Sequence, residues 1–420
     1  MGHAGAKHHA WWRLLAVAGP TLLVGAACTS GVDDPEPNSP TDSAPTPTST
    51  TETTTPTGTT ETTTPTSATN ATPPAPREIT VAMNGDVLLH SGLWETAAQD
   101  AARTGRGTMD FRPLLQHIKP LMSGADLAVC HLETPVAAPA GPYTSYPVFS
   151  VPPQIIPALA DTGYDTCTTS SNHSIDAGFE GLSRTLDDLD QAGIEHTGTS
   201  RTARDARRPF ITEVDGVQVG IVAATYGTNG IPLPTDQPWS VRLIDVEQIK
   251  RLAARTRAAG ADVVLVALHW GLEYVHEPST DQVAVAEALT KSPDIDFVYG
   301  HHAHVVQPYE KVNGTWVAYG LGNMVARQET DVEGVYDGNT CRVTFRERPD
   351  GSFAVSKLEF IPTKITAYDG VTPMRVLNVP RALKQPRWSS YRDVLEEADA
   401  DVSQVVLSLG GRRQGVRQGD

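Results

Sequence analysis

Cysteine is scarce in this 420-residue chain: there are four, and their wide spacing excludes a thiolate cluster of the structural-zinc kind. Basic side chains are also in deficit. Thirty-three Lys and Arg face 49 Asp and Glu, a formal net charge of −16. That balance argues against a nucleic-acid partner and against electrostatic binding to an anionic lipid surface. It would also repel a polyanionic substrate unless a metal cation sat between them. Long apolar runs are lacking as well. The one candidate, residues 14–27, is too short to span a bilayer as a stable anchor. No internal repeat is visible.

What is present begins with a targeting signal. Lys7 and Arg13 precede the apolar run, which ends in Gly25-Ala26-Ala27 followed by Cys28. Residues 1–27 read as a bacterial lipoprotein signal, cleaved before Cys28 with lipid attached to its sulfur, placing the protein outside the cytoplasm on the membrane. The alternative is an ordinary secretory signal that happens to contain a cysteine, which would leave the protein secreted. Residues 28–76 are dominated by Thr, Pro, Ser and acidic side chains, with too little apolar surface to offset the entropy of ordering, and read as a tether. Residues 77–380 read as one large domain and 381–420 as a solvated tail with a short amphipathic helix near 391–400. With Cys28 set aside, Cys130, Cys167 and Cys341 remain. The first two fall near the ends of neighbouring predicted strands and are the expected disulfide pair.

Short β-branched or apolar runs at 79–83, 126–130, 165–169, 217–223, 263–268, 295–299 and 315–319 have the character of buried parallel strands. Helical patterns at 178–192 and 246–259 lie between them, so the chain reads as layered α/β. Polar residues follow the strands in order: Asn84-Gly85-Asp86, His131-Leu132-Glu133, Asn172-His173 with Asp176, His269 with Glu273, Gly300-His301-His302-Ala303-His304, and Gly322-Asn323. Ligands of α/β sheets bind at carboxyl ends of strands. Singly, each residue has a plainer role: Asp86 shaping a turn, Glu133 pairing an arginine, Asn172 capping a helix, His269 in the core. Together they fit one or two divalent cations of intermediate hardness, Mn, Fe or Zn. In an extended segment His302 and His304 would point the same way, toward one ion, and His301 elsewhere.

In this order, these six motifs resemble the signatures of CapA proteins, the capsule or poly-gamma-glutamate synthesis family, over roughly residues 78–365. The resemblance implies a calcineurin-like metallophosphoesterase fold, a four-layer sandwich of two packed mixed β-sheets flanked by helices. It implies Asp86, Glu133, Asn172, His269, His302 and His304 as metal ligands and His173 as general acid. His131, Asp176, Glu273 and Asn323 would support the ligands or contact substrate. Two positions depart from the pattern: Leu88 stands where the superfamily has a histidine, and His131 where CapA proteins usually have asparagine.

Three functions follow from the resemblance and the anchor. One is a metal-dependent enzyme acting on a cell-surface polymer or its precursor. Another is a non-catalytic accessory subunit of a membrane-bound polymer synthase. The third is an extracytoplasmic phosphoesterase.

Overall fold

Alternation with a period of two decides the layering. In the segment beginning at Ile79, residues 79, 81 and 83 belong to one buried cluster and Ala82 to another. The same split separates Leu127 and Val129 from Ala128 and Cys130, and Val263, Leu265 and Ala267 from Val264, Val266 and Leu268. A strand buried on both faces must divide its side chains in this way.

A computed structural model describes residues 75–328 and 332–420. The signal reading at 1–27, Cys28 and nearly all of 28–76 lie outside the described residues. Fifteen strands occur among the described residues. In chain order they begin with β1 (Glu78–Val87), β2 (Leu127–Leu132), β3 (Thr166–Thr168), β4 (Glu195–Thr197), β5 (Ile211–Val214), β6 (Val217–Thr225), β7 (Val263–His269) and β8 (Phe297–His301). They continue with β9 (Tyr309–Val312), β10 (Thr315–Ala318), β11 (Asn323–Val325), β12 (Asp337–Glu347), β13 (Phe353–Ile365), β14 (Val376–Asn378) and β15 (Arg417–Gln418).

A nine-stranded sheet runs β14-β13-β12-β1-β2-β3-β4, with β11 also on β1 and β15 on β13. A six-stranded sheet runs β5-β6-β7-β8-β10-β9. Both are mixed. β1 to β4 run parallel to their neighbours in that series, whereas β12 is antiparallel to β1 and β13, and β13 is antiparallel to β14 but parallel to β15. In the smaller sheet β6, β7, β8 and β10 are parallel and the edges β5 and β9 antiparallel. Met83, Val129, Val343 and Phe360 of the first sheet meet Ile221, Leu265, Phe297 and Tyr299 of the second in one core. Helices cover the outer faces: Leu182, Leu186 and Leu189 of Gly178–Ala192 on the first, Ile249, Leu252 and Ala253 of Val246–Ala258 on the second. The architecture is therefore the expected four-layer mixed α/β sandwich.

The structure corrects the reading of residues 381–420. Helix Arg392–Leu407 buries Leu395, Ala398, Val402 and Val406 along one side, and β15 then adds to β13. Val402, Val406 and Val416 enter the inter-sheet core, while Leu395 and Ala398 pack on Leu377, Val379 and Ala382. The spacing 395, 398, 402, 406 is that of an apolar helical stripe, which must be covered. The segment is an integral part of the fold. Cys130 and Cys167 stand opposite each other on β2 and β3 and are disulfide-bonded, while Cys341 is free and buried.

Candidate metal centre

The parallel strands of both sheets deliver their carboxyl ends to one place. On one flank of β1, β12 pairs with residues 78–83 and β11 takes over at Asp86. On the other flank the register to β2 slips between Met83 and Asp86. This irregularity turns the Asp86 carboxylate inward. It requires Gly85, because a Cβ there would lie 1.9 Å from the Gly322 carbonyl oxygen.

Asp86 is the hub. Its Oδ2 lies 3.1 Å from His304 Nδ1 and accepts the His302 backbone N–H at 3.1 Å. Its Oδ1 lies 3.2 Å from His301 Nδ1 without hydrogen-bond alignment. Glu133, one residue beyond β2, is fully buried and places Oε1 3.7 Å from His269 Nε2 and 4.0 Å from His304 Nε2. His269 Nε2 also meets Asn172 Oδ1 at 2.8 Å, and its Nδ1 meets His131 Nε2 at 3.0 Å. His131 is completed by Thr168 Oγ1 at 2.9 Å. Asn323 accepts at Oδ1 from His304 Nδ1, 3.0 Å away, and is itself fixed by donating to the His304 and Val335 carbonyls and to Gln328. His173 Nδ1 meets Asp176 Oδ2 at 2.7 Å, and the same oxygen accepts the Phe149 N–H.

These atoms form three overlapping sets, each with donor atoms within 4.8 Å of one another: Asp86, Glu133 and His304; Asp86, His131 and His301; and Glu273, His302 and His304. His302 and His304 do share a set, but for a different reason from the one expected. Their backbones take φ of +87° and +56° rather than extended values, conformations that cost non-glycine residues about 1–3 kcal/mol each. His301 also does not point away: it continues the inward face of β8 from Tyr299 and stacks on His131, with ring centroids 4.0 Å apart. The expectation of two free directions failed because the chain turns at His302.

The electrostatics suit a divalent cation. Glu133 Oε1 and Oε2, Asp86 Oδ1, both ring nitrogens of His301 and His302 Nδ1 are buried without a hydrogen-bond partner. Two apposed, desolvated carboxylates need a positive counterpart. Burial pushes Asp86 up, yet the His301 and His304 rings outweigh it and hold the carboxyl well below its usual range. Burial, reinforced by the Asp86 charge, pushes Glu133 well above it. Burial lowers His304, but Glu133 and Asp86 prevail and bring it up to about 9. His302 falls to about 3 through burial and the neighbouring His304. His131 and His269 are driven well below the ordinary value by burial first and adjacent imidazoles second. Neutral rings are the ligating form, and a proton on His304 sits where a divalent ion would neutralise both carboxylates. The donor set therefore fits such an ion.

The cluster opens on a cleft of about 490 Å3 lined by His173, Glu273, His304, Tyr146, Tyr274 and Arg327, among others. Glu273 is exposed there, whereas His173 is 6% exposed. Sequence reasoning missed His301, Thr168 and Tyr226, whose ring lies 4.6 Å from that of His302 and partly roofs the site. The run of inward residues Phe297, Tyr299 and His301 carried the signal for the first. Nothing local marked Tyr226.

Residues 80–328 match the family described as bacterial capsule synthesis protein PGA_cap. The chain is 25% identical over 261 residues to the capsule biosynthesis protein CapA of Bacillus anthracis, covering 60% of each chain. It is 27% identical over 228 residues to the PGA biosynthesis protein CapA of Bacillus subtilis, covering 51% of this chain and 57% of that one. The match thus spans about 60% of the length of these curated relatives. Among solved structures, the calcineurin-like phosphoesterase YfkN from Bacillus subtilis aligns with 77% of this chain and 99% of its own at 16% identity, with a TM-score of 0.41, too low to carry an argument. With more than half of its residues matched in order, the chain belongs to the PGA_cap family of bacterial capsule synthesis proteins.

Proposed function

We propose that the protein acts outside the cytoplasm in making, transferring or anchoring a capsule polymer of the poly-gamma-glutamate type, through a divalent-cation centre at the strand ends. The observation that carries this reading is the pair of sealed carboxylates, Asp86 and Glu133, set among unpartnered imidazole nitrogens at the foot of an open cleft. Asp86, Glu133, Asn172, His269, His302 and His304 would hold one or two ions, with His301 and His131 on the inner side. A cation there supplies Lewis-acid polarisation of a substrate oxygen and offsets the repulsion between an acidic protein and an acidic polymer.

The chain's own groups do the rest. Asp176 orients His173 through Nδ1 and would balance the charge of its imidazolium form, whose Nε2–H would pass to a departing group in the cleft that His173 lines. His131 and Asn323 orient His269 and His304 through their second nitrogens, as outer hydrogen bonds do in metal sites. Lipid on Cys28 and the 28–76 segment would hold this domain at the membrane, within reach of synthase subunits.

The test compares the full chain with a His302→Ala/His304→Ala variant by elemental analysis, then assays both on phosphoesters and gamma-glutamyl amides. About one to two equivalents of Mn, Fe or Zn, lost in the variant together with turnover, is the expected result. Metal without turnover on either class would favour the accessory-subunit reading. No retained metal in the wild type would overturn the cation centre.

A further inference from the structure

A second cavity, of about 530 Å3, lies away from the cation centre, where the edge strands β4 and β5 of the two sheets come together. Its walls include His196 and Thr199 from the β4 side, Phe210 and Ile211 around the start of β5, and Arg208 and Arg242. The two arginines are unusual in their surroundings. Arg201, also on the wall, is neutralised by Asp187 and Asp190. Arg208 and Arg242 form no ion pair among the described residues.

Arg242 is the more telling of the two. Its Nη2 donates to the Ala206 carbonyl at 3.0 Å, its Nε is buried without a partner, and Nη1 has no hydrogen bond yet is not sealed from solvent. Burial, aided by the Arg255 charge, pushes the guanidinium below the ordinary arginine value. Asp190, Glu195 and Asp205 also line the cavity, but Asp190 is paired with Arg201, Asp205 is bonded to Thr202, and no carboxylate among the described residues forms an ion pair with Arg242. A desolvated cation without a counter-ion is costly to keep, and guanidinium forks match planar oxyanions. The apolar flank of Phe210 and Ile211 and the cavity's volume suit a small organic anion rather than a bare ion.

We propose that this cavity is a binding site for a small molecule bearing a carboxylate or phosphate group, held by Arg242 and Arg208. It also touches the catalytic side of the fold. Thr199 Oγ1 shares a 2.7 Å hydrogen bond with Thr169 Oγ1, and the Thr169 carbonyl accepts from Ser174 Oγ at 2.7 Å. Ser174 directly follows His173. The inference stands independently of the cation centre.

The experiment is calorimetric titration of the chelator-treated full chain at low salt with inorganic phosphate and, separately, with glutarate. Chelation keeps either anion from binding through a cation at the other site. Saturable binding of at least one probe with one site per chain is expected, weakened tenfold or more by Arg208→Gln and by Arg242→Gln. The stronger probe identifies the preferred oxyanion. Arg208 is exposed and structurally unencumbered, so Arg208→Gln decides the matter if Arg242→Gln does not fold. Absence of binding by both probes, or affinities unchanged in the folded variants, would overturn the proposal.

Discussion

Glu133→Gln should change stability in opposite directions with and without metal. The Glu133 carboxylate is fully buried, neither oxygen has a hydrogen bond, and Asp86 adds like-charge repulsion. Its carboxyl is raised well above the ordinary glutamate value of 4.5. The cation-free folded state therefore keeps a proton that the unfolded chain gives up, and wild-type stability falls as pH rises from that ordinary value toward the folded one. The amide removes this liability. At pH 8 in chelator, Glu133→Gln should stabilise the fold by about 1.4 kcal/mol for each pH unit by which the folded carboxyl stands above its ordinary value, since the amide carries no charge and keeps only the unmet hydrogen bonds the carboxyl already had. With cation added to about 1,000 times its Kd, the wild type should gain about 4 kcal/mol, and the variant should lose most of that gain. Urea unfolding followed by tryptophan fluorescence, at pH 6 and pH 8 with chelator or cation, reads all of these terms. A variant less stable than wild type in chelator, by as much as in cation, would refute the account of Glu133 as a carboxylate held for an ion.

Two further outcomes test the scaffold. The Cys130–Cys167 bond closes a loop with a sequence separation of 37, so Cys130→Ala/Cys167→Ala should lower unfolding free energy by about 4 kcal/mol; an unchanged urea midpoint would show the bond to be irrelevant to stability. Deleting residues 392–420 removes Leu395, Val402 and Val406, each worth about 1.5–3 kcal/mol when buried, and uncovers Leu377, Val379 and the inter-sheet core they pack on. The product should be insoluble or lack a cooperative thermal transition, whereas a tail without packing would leave the melting temperature where it was.

Much of the arrangement is legible in the residues themselves. The run at 263–268 is apolar throughout, and that at 217–223 is interrupted only by Gln218 and Gly220, because both faces of β6 and β7 are covered; they announce buried parallel strands. The polar residues that end such runs are marked by position, which is why Asp86, Glu133, Asn172, His269 and His304 can be picked out before any coordinates. Strands such as β12 and β13 are harder to see. They are antiparallel and interrupted by Arg342, Arg346, Lys357 and Glu359, whose charges pair across the sheet and at its margin instead of announcing a core. The helix at 392–407 is likewise masked by its acidic outer face. His301 is lost for a subtler reason. Its direction depends on where extended backbone gives way to positive φ, and that is set by Asp86 gripping the His302 amide from 216 residues away.

That long reach has a temporal side. Glu78 pairs with Arg346, and Asp86 stands beside Asn323, so the first strand of the domain finds its neighbours on one flank only after nearly all of the chain has been delivered. Asp86 and Glu133 are early in the sequence, whereas His302, His304 and Asn323 are late. A cation centre built from these residues can exist only once the late strands have joined the early ones, and so would have no means of selecting an ion while the chain is still being made. Any cation held there would be the one that prevails where the last strands arrive.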